Sequence, residues 1–335
     1  MLPTIKDVAR QAGVSTATVS RVVNDLEGVS EHTRLRVQQA VADLGYRYNA
    51  LARGLKKQQS NLIGHIVPSI AGPVSPVLAR AVEERAQRSG YNVILCNSFD
   101  NVEKEWANVN VLLERRVDGI VFSAPMLPEH VKAVQDRAVP VVVIERRGEI
   151  SGFYYVDPDN FNGAYEAVKY LIGLGHERIA MIVGPPSAII SKLRMDGYER
   201  ALSDVGLSAT AELMADGDYS RASGYEAMQK FLKLRPGPTA VFAGNDAMAI
   251  GAMQAAHHAG LQIPKDISFI GFDDTHAELT LPELTSVHQP LNEIGTLAAE
   301  IVVAQIKGAR DKYPLENVLP CYLKVRESCG PAPAG

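Results

Sequence analysis

Residues 4–24 read TIKDVARQAGVSTATVSRVVN, and this stretch decides how the chain begins. Ile5, Val8, Ala9 and Ala12 recur at the i, i+3, i+4, i+7 spacing of one helical face. Thr4 precedes them and Asp7 follows three residues later, a capping-box-like start with Asp in place of Glu or Gln. Gly13 supplies the positive φ that a sharp helix–helix turn demands. Ser15 is placed to cap a second helix whose apolar side is Val19, Val22 and Val23. The opposite side carries Thr16, Ala17, Ser20 and Arg21, small or hydrogen-bonding groups with one cation, which suits a face pushed into a DNA major groove. A small helical bundle with solvated polar faces is the plainer alternative. Ser30 to Leu44 reads as a third helix with Val37, Ala40, Val41 and Leu44 inward, ended by Gly45, and Tyr46 to Lys57 is short and basic.

Charge supports the DNA reading once it is divided along the chain. The whole 335-residue sequence carries a net −4, but residues 1–60 hold nine Lys/Arg against five Asp/Glu, a net +4 on a body of −8. No apolar run is long enough to span a membrane, and Lys6, Asp7 and Arg10 interrupt any signal-peptide pattern, which implies a cytoplasmic protein. Cys96, Cys321 and Cys329 form neither a CxxC pair nor a disulfide framework. His176, His257 and His258 lack metal-ligand spacing and read as surface or capping residues. No phosphate loop, dinucleotide fingerprint, nucleophile elbow or HExxH is present, so neither a cofactor nor an enzymatic activity is expected.

From Asn61 onward, short Val- and Ile-rich runs alternate with amphipathic helical stretches. Strands are expected at Leu62–Val67, Tyr91–Asn97, Gly119–Ala124 and Val139–Glu145, then at Ile179–Gly184, Glu212–Ala215, Ala240–Ala243, Ile267–Phe272 and Val287–Gln289, with a final strand pair near Val318–Val325. The alternation predicts two doubly wound α/β lobes with a cleft between them, and ligands of such sheets sit beyond the strands' carboxyl ends. The Gly330–Gly335 tail is expected to be disordered.

The opening stretch, together with VSEHTRLRVQQAVADLGYRYNALARGL, resembles the DNA-binding head and hinge of the lactose/purine-repressor family. The likeness continues through LLERRVDGIVFSAP, PVVVIERR, RMDGYERAL, PTAVFAGNDAMAIGAMQAAHHAGLQIPKDISFIGFDD and LTSVHQPLNEIG. It implies a helix-turn-helix domain over 1–48, a hinge over 49–60 and an effector core over 61–330 that is similar to periplasmic binding proteins, followed by a 331–335 tail. The core would divide into 61–160 with 291–318 and 161–290 with 319–330. DNA contacts are implied for Thr4, Lys6, Ser15, Thr16, Ala17, Thr18, Ser20, Arg21 and Asn24 in the head, and for Asn49, Ala52, Leu55 and Lys56 in the hinge. Leu55 stands where the family wedges a leucine into the minor groove. Tyr48 departs from the family's common proline, and Ala17 has only a methyl to offer a thymine. A homodimer on near-palindromic double-stranded operator DNA, controlled by a small-molecule effector, is the expected whole.

Candidate effector contacts follow from strand ends and from the resemblance together. Asp273 follows the strand ISFIGF and can accept two hydrogen bonds from neighbouring hydroxyls, whereas Asp274 reads as a turn cap. Arg194 lies on a helix, where arginine is usually solvated, but it matches the family's effector-binding arginine. Arg146 ends the strand VVVIER as a pocket residue or a rim partner of Glu145. After AVFAG, Asn245 is offered to the ligand while Asp246 is expected to cap the next helix. Asp159 and Asn160 stand between cap and ligand. Tyr219 and Phe272 match aromatic positions of the family, with core packing the simpler reading for Phe272, and Ser69 and Ser123 are strand-end candidates. The acid–arginine–amide set points to a sugar or sugar derivative. The alternative is a sugar-binding protein or an enzyme on the same kind of core.

Overall fold

The computed structural model describes residues 3–23, 25–46, 59–145, 152–186 and 188–333. The chain separates into two compact units, Met1–Ser60 and Asn61–Gly335.

In the first unit, α1 (Ile5–Ala12), α2 (Thr16–Val23) and α3 (Glu31–Leu44) enclose Val8, Ala9, Ala12, Val19, Val22, Val37 and Ala40. The Asp7 carboxylate accepts from Thr4 N at 2.9 Å and from Thr4 Oγ1 at 2.7 Å, so the first turn is held as its spacing predicts. Gly13 ends α1 at φ 63°, and Val14 N donates to Ala9 O at 3.0 Å, the wrapped finish that only an unbranched backbone takes without strain. The Arg36 guanidinium donates to Ala12 O and so ties α3 to the end of α1. Ser15 Oγ accepts from Thr18 N at 3.1 Å and starts α2.

The second unit is built on two six-stranded sheets. In the first, the order is β11 (Glu316–Leu319), β5 (Tyr154–Pro158), β4 (Val141–Ile144), β3 (Gly119–Ser123), β1 (Leu62–Val67) and β2 (Asn92–Asn97), all parallel. In the second, the order is β12 (Tyr322–Lys324), β10 (Thr285–His288), β9 (Ser268–Asp273), β8 (Ala240–Ala243), β6 (Ile179–Val183) and β7 (Met214–Asp216). Only β12 runs antiparallel to its neighbour among these described strands. Strands β4, β6, β8 and β9 are buried along their whole length, which is why they read as continuous apolar runs rather than alternating ones.

Helices α4 (Val74–Arg88), α5 (Val102–Glu114) and α6 (Pro128–Gln135) cover the first sheet. Helices α7 (Asn160–Gly173), α8 (Ile189–Ser203), α9 (Arg221–Phe231) and α10 (Asp246–His258) cover the second. Helix α11 (Leu291–Ile306) follows β10 of the second sheet but packs on α4 and the first. Two glycines set the α9–α10 spacing. A Cβ on Gly251 would lie 1.9 Å from Arg221 O, and one on Gly224 would lie 2.1 Å from Met248 O.

Four expectations need correction. Strand β5 was not anticipated, because its five residues end in Asp157-Pro158 and carry too little alternation to stand out. The last two strands do not pair with each other. Pro320 and Cys321 separate them, and each completes a different sheet, a destination that local pattern does not encode. The tail is not loose through Pro333: Ala332 N donates to Leu174 O at 2.9 Å, and Gly330 N to Ser268 Oγ at 3.1 Å. His176 is likewise buried, not superficial, with Nε2 3.1 Å from Gly330 O and Nδ1 2.9 Å from Thr239 Oγ1.

Candidate effector cleft and nucleic-acid interface

On the head, Lys6, Ser15, Thr16, Ala17 and Arg21 are exposed, and Thr18 and Ser20 are half-buried. Ser15 and Thr18 also bond each other, Oγ to Oγ1 at 2.9 Å, so both are engaged in starting the helix they were expected to read from. Thr4 is exposed and engaged with Asp7. Asn24, Asn49, Ala52, Leu55, Lys56 and Arg146 lie outside the described residues.

The carboxyl ends of the second sheet converge on Arg194. This side chain is 2% exposed, although it sits on a helix. Its Nε donates to Asn160 Oδ1 at 2.8 Å, Nη1 donates to Gly244 O, and Nη1 lies 3.5 Å from Asp273 Oδ1. Its guanidinium covers the Phe272 ring, 3.7 Å from the centroid. Phe272 itself is fully buried, so it supports the site through Arg194 while packing in the core. Tyr219, at φ 68°, lays its ring on Gly184 and bonds Ser191 through its hydroxyl at 2.7 Å. Asn245 Nδ2 donates to Tyr219 O at 3.2 Å. Arg194, Asn160, Tyr219, Asn245, Phe272 and Asp273 thus form one cluster.

Several roles differ from expectation. Asn245, not Asp246, caps α10, accepting from Met248 N at 2.9 Å. Asp246 is buried behind it, accepting from Ser286 Oγ at 2.5 Å and Thr275 N at 3.0 Å. Asp159 is the cap of α7, accepting from Asn162 N at 3.2 Å. Asp274 caps no turn. Its carboxylate accepts from Lys324 Nζ at 2.6 Å, Arg326 Nη2 at 2.6 Å and His288 Nδ1 at 2.8 Å. Burial opposes its ionisation, but those three donors outweigh burial and hold the carboxyl below its ordinary value. Ser123 is paired with the buried His65, Nε2 to Oγ at 2.9 Å, and Ser69 Oγ accepts from Ala71 N in a turn, so neither joins the Arg194 cluster.

Two residues were missed. Glu145 directly follows β4 of the first sheet, at φ 64°. Burial raises its carboxyl while the charge of Arg194 draws it back down, an electrostatic link between an acid beside the first sheet and an arginine beside the second. Gln289, 2% exposed, donates from Nε2 to Asp273 Oδ1 at 2.6 Å. A polar residue between β10 and Pro290 was the available signal. Burial also raises Asp273, Arg194 opposing and Glu145 adding to the rise, and it raises Asp246, where Asp273 adds its repulsion.

A helix-turn-helix unit ahead of a two-sheet core with a buried polar cluster at the strand ends of its second sheet defines a DNA-reading protein with a binding-protein-like sensor. Residues 4–49 match the model for bacterial regulatory proteins of the lacI family, and residues 168–329 match the periplasmic binding protein-like domain. The chain is 38% identical over 329 residues to the HTH-type transcriptional repressor PurR of Edwardsiella ictaluri, covering 97% of this chain and 96% of that one. It is 37% identical over 308 residues to the ribose operon repressor of Escherichia coli K12, covering 91% and 93%. The lac repressor dimer bound to operator and the anti-inducer ONPF superposes with a TM-score of 0.91 at 31% identity, covering 98% of this chain and all of that one. The chain belongs to the lacI family of bacterial regulatory proteins, and it is a DNA-binding transcriptional regulator. No helix among the described residues is long and apolar enough to cross a membrane.

Proposed function

We propose that the protein is a cytoplasmic repressor that binds a near-palindromic operator as a homodimer and responds to a sugar or sugar derivative held in the core cleft. The observation that carries the effector half is the buried Arg194–Asp273 pair at the strand ends, 3.5 Å apart. A stability role alone explains it poorly, because taking both charges out of water costs more than their attraction returns unless something else uses them. Asp273 accepts hydroxyls and Arg194 donates in a fixed fork, a combination suited to a polyol. Effector contacts are assigned to Asn160, Arg194, Tyr219, Asn245 and Asp273, with Arg146 joining them from the resemblance.

The DNA half rests on the exposed Thr16, Ala17 and Arg21 of α2, with Lys6 and Thr4 at the start of α1 as backbone contacts. The hinge over residues 49–60, with Asn49, Ala52, Leu55 and Lys56, completes the operator contacts. A second copy would cover Leu279 and Leu281, which are 75% and 95% exposed. They rim a mixed depression lined by Ile250, Met253 and Ile263 together with Arg221, Gln254 and His257. Two-fold symmetry then matches two half-sites.

The experiment is a gel shift on the protein's own upstream region at two salt concentrations, with and without a panel of sugars, sugar acids and nucleobases. Wild type should bind with strong salt dependence and lose or gain affinity with one class of ligand, by the factor of 5 to 150 (roughly) that allosteric coupling of this kind supplies. Asp273→Asn should keep the DNA affinity and lose the ligand response. A response retained in that variant removes Asp273 from the site, and absence of DNA binding removes the regulatory reading.

A further inference from the structure

The depression rimmed by Leu279 and Leu281 is uneven in charge. Arg221 reaches it from the start of α9, Gln254 and His257 from the last turns of α10, and Leu279 to Pro282 from the loop before β10. Arg221 and His257 are the lining residues that can carry charge, and both are exposed. No Asp or Glu is among the described residues that line it. The other titratable groups of the surrounding elements stand outside the lining. His258 meets the Tyr225 hydroxyl at 3.1 Å, and Asp266 accepts from Gln262 N at 2.7 Å. Glu283 is 3.8 Å from Arg326 Nε, while Glu226, Lys265 and Glu278 are exposed.

A two-fold contact doubles whatever it covers. Two copies closing over this surface therefore bring two Arg221 and two His257 under the leucines, with no carboxylate of the lining to offset them. A guanidinium cannot shed its charge, but an imidazole ordinarily does so near pH 6.5. Covering a second cation beside the first costs both its hydration and the repulsion between them. In the separate copy the same ring lies in water at the C-terminal end of a helix, where a positive charge is welcome. Proton and partner thus compete for one side chain. We infer that His257 makes the contact between copies acid-sensitive: the dimer closes on the neutral ring and opens when the ring takes a proton. The inference rests on the reading of this depression as the surface that a second copy covers. A fall in pH would then loosen the grip on two half-sites with no change in effector.

The test measures dimer dissociation of the full chain by sedimentation over a dilution series. If each ring must be neutral in the dimer, the dissociation constant of wild type rises about fifteenfold from about pH 8 to about pH 6, two sites each titrating at an ordinary histidine's value. His257→Gln should give the same constant at both pH values, whatever its strength. His257→Lys, cationic throughout, should dimerise more weakly than the glutamine variant at both. The side chain is exposed on a helix surface, so neither change threatens the fold. Parallel profiles for wild type and His257→Gln overturn the inference. So does a wild-type dimer that tightens in acid, which would mean that a carboxylate such as Glu278 of the other copy meets the ring. A monomer at both pH values overturns the second-copy reading and this inference with it. A dimer unmoved by Leu281→Asp places the interface elsewhere and has the same consequence.

Discussion

Replacing His65 with glutamine should remove one acid-sensitive contribution to the core's stability. The ring is fully buried on β1, and among the described residues it is bonded only through Nε2 to Ser123, with Nδ1 unpartnered. Burial holds its pKa down at about 4, against an ordinary 6.5. Between those values the unfolded chain binds a proton that the folded core refuses. Protonation then favours unfolding, so stability is whole above pH 6.5 and is lost as the pH falls toward 4. At about 1.4 kcal/mol per pKa unit, about 2 kcal/mol is gone by about pH 5 and about 3 kcal/mol near pH 4. Glutamine does not titrate and still presents an N–H toward Ser123. Urea unfolding of wild type and His65→Gln at about pH 8 and about pH 5 isolates the effect, since every other titrating group cancels in the difference. The gap between the two proteins should move by about 2 kcal/mol in the variant's favour at the lower pH. Parallel pH profiles would refute the account of His65 as a buried neutral ring.

Gly251→Ala should cost about 3 kcal/mol in urea or thermal unfolding, because its Cβ would press on Arg221 O and push α9 off α10; an unchanged melting temperature contradicts that packing. Leu281→Asp should turn a dimer into a monomer by sedimentation at micromolar concentration, and a persistent dimer places the interface elsewhere. Leu55→Ala, in the segment outside the described residues, should weaken operator binding and bending while leaving ligand affinity unchanged, and equal DNA affinity would rule out the hinge wedge.

The sequence was most legible where partners are near in the chain. The Thr4–Asp7 start, the Gly13 turn and the Ser15 cap each rest on contacts within five residues, and each is present. The buried strands announced themselves as apolar runs for the same local reason. Asp273 was legible from its position at a strand end and Arg194 from the resemblance, since nothing on its own helix shows that a cation there is buried. Asp274 and His176 could not be read locally. Their partners Lys324 and Arg326, and Gly330, stand 50, 52 and 154 residues away, and only the folded sheet order brings them together. Glu145 and Gln289 were read only as the last residues of expected strands, Glu145 also as a rim partner of Arg146, and the long-range partners that bury them are not visible in the local pattern.

The sheet order also bears on biosynthesis. β11 and β12 follow every other strand of both sheets in the chain, yet each forms the outer edge of a different sheet. A chain that has emerged only as far as residue 315 leaves both lobes one strand short, with β5 and β10 open along their flanks. Nascent chains stalled there would offer two sticky borders for strand addition, so translational pausing late in the message should favour aggregation more than pausing midway.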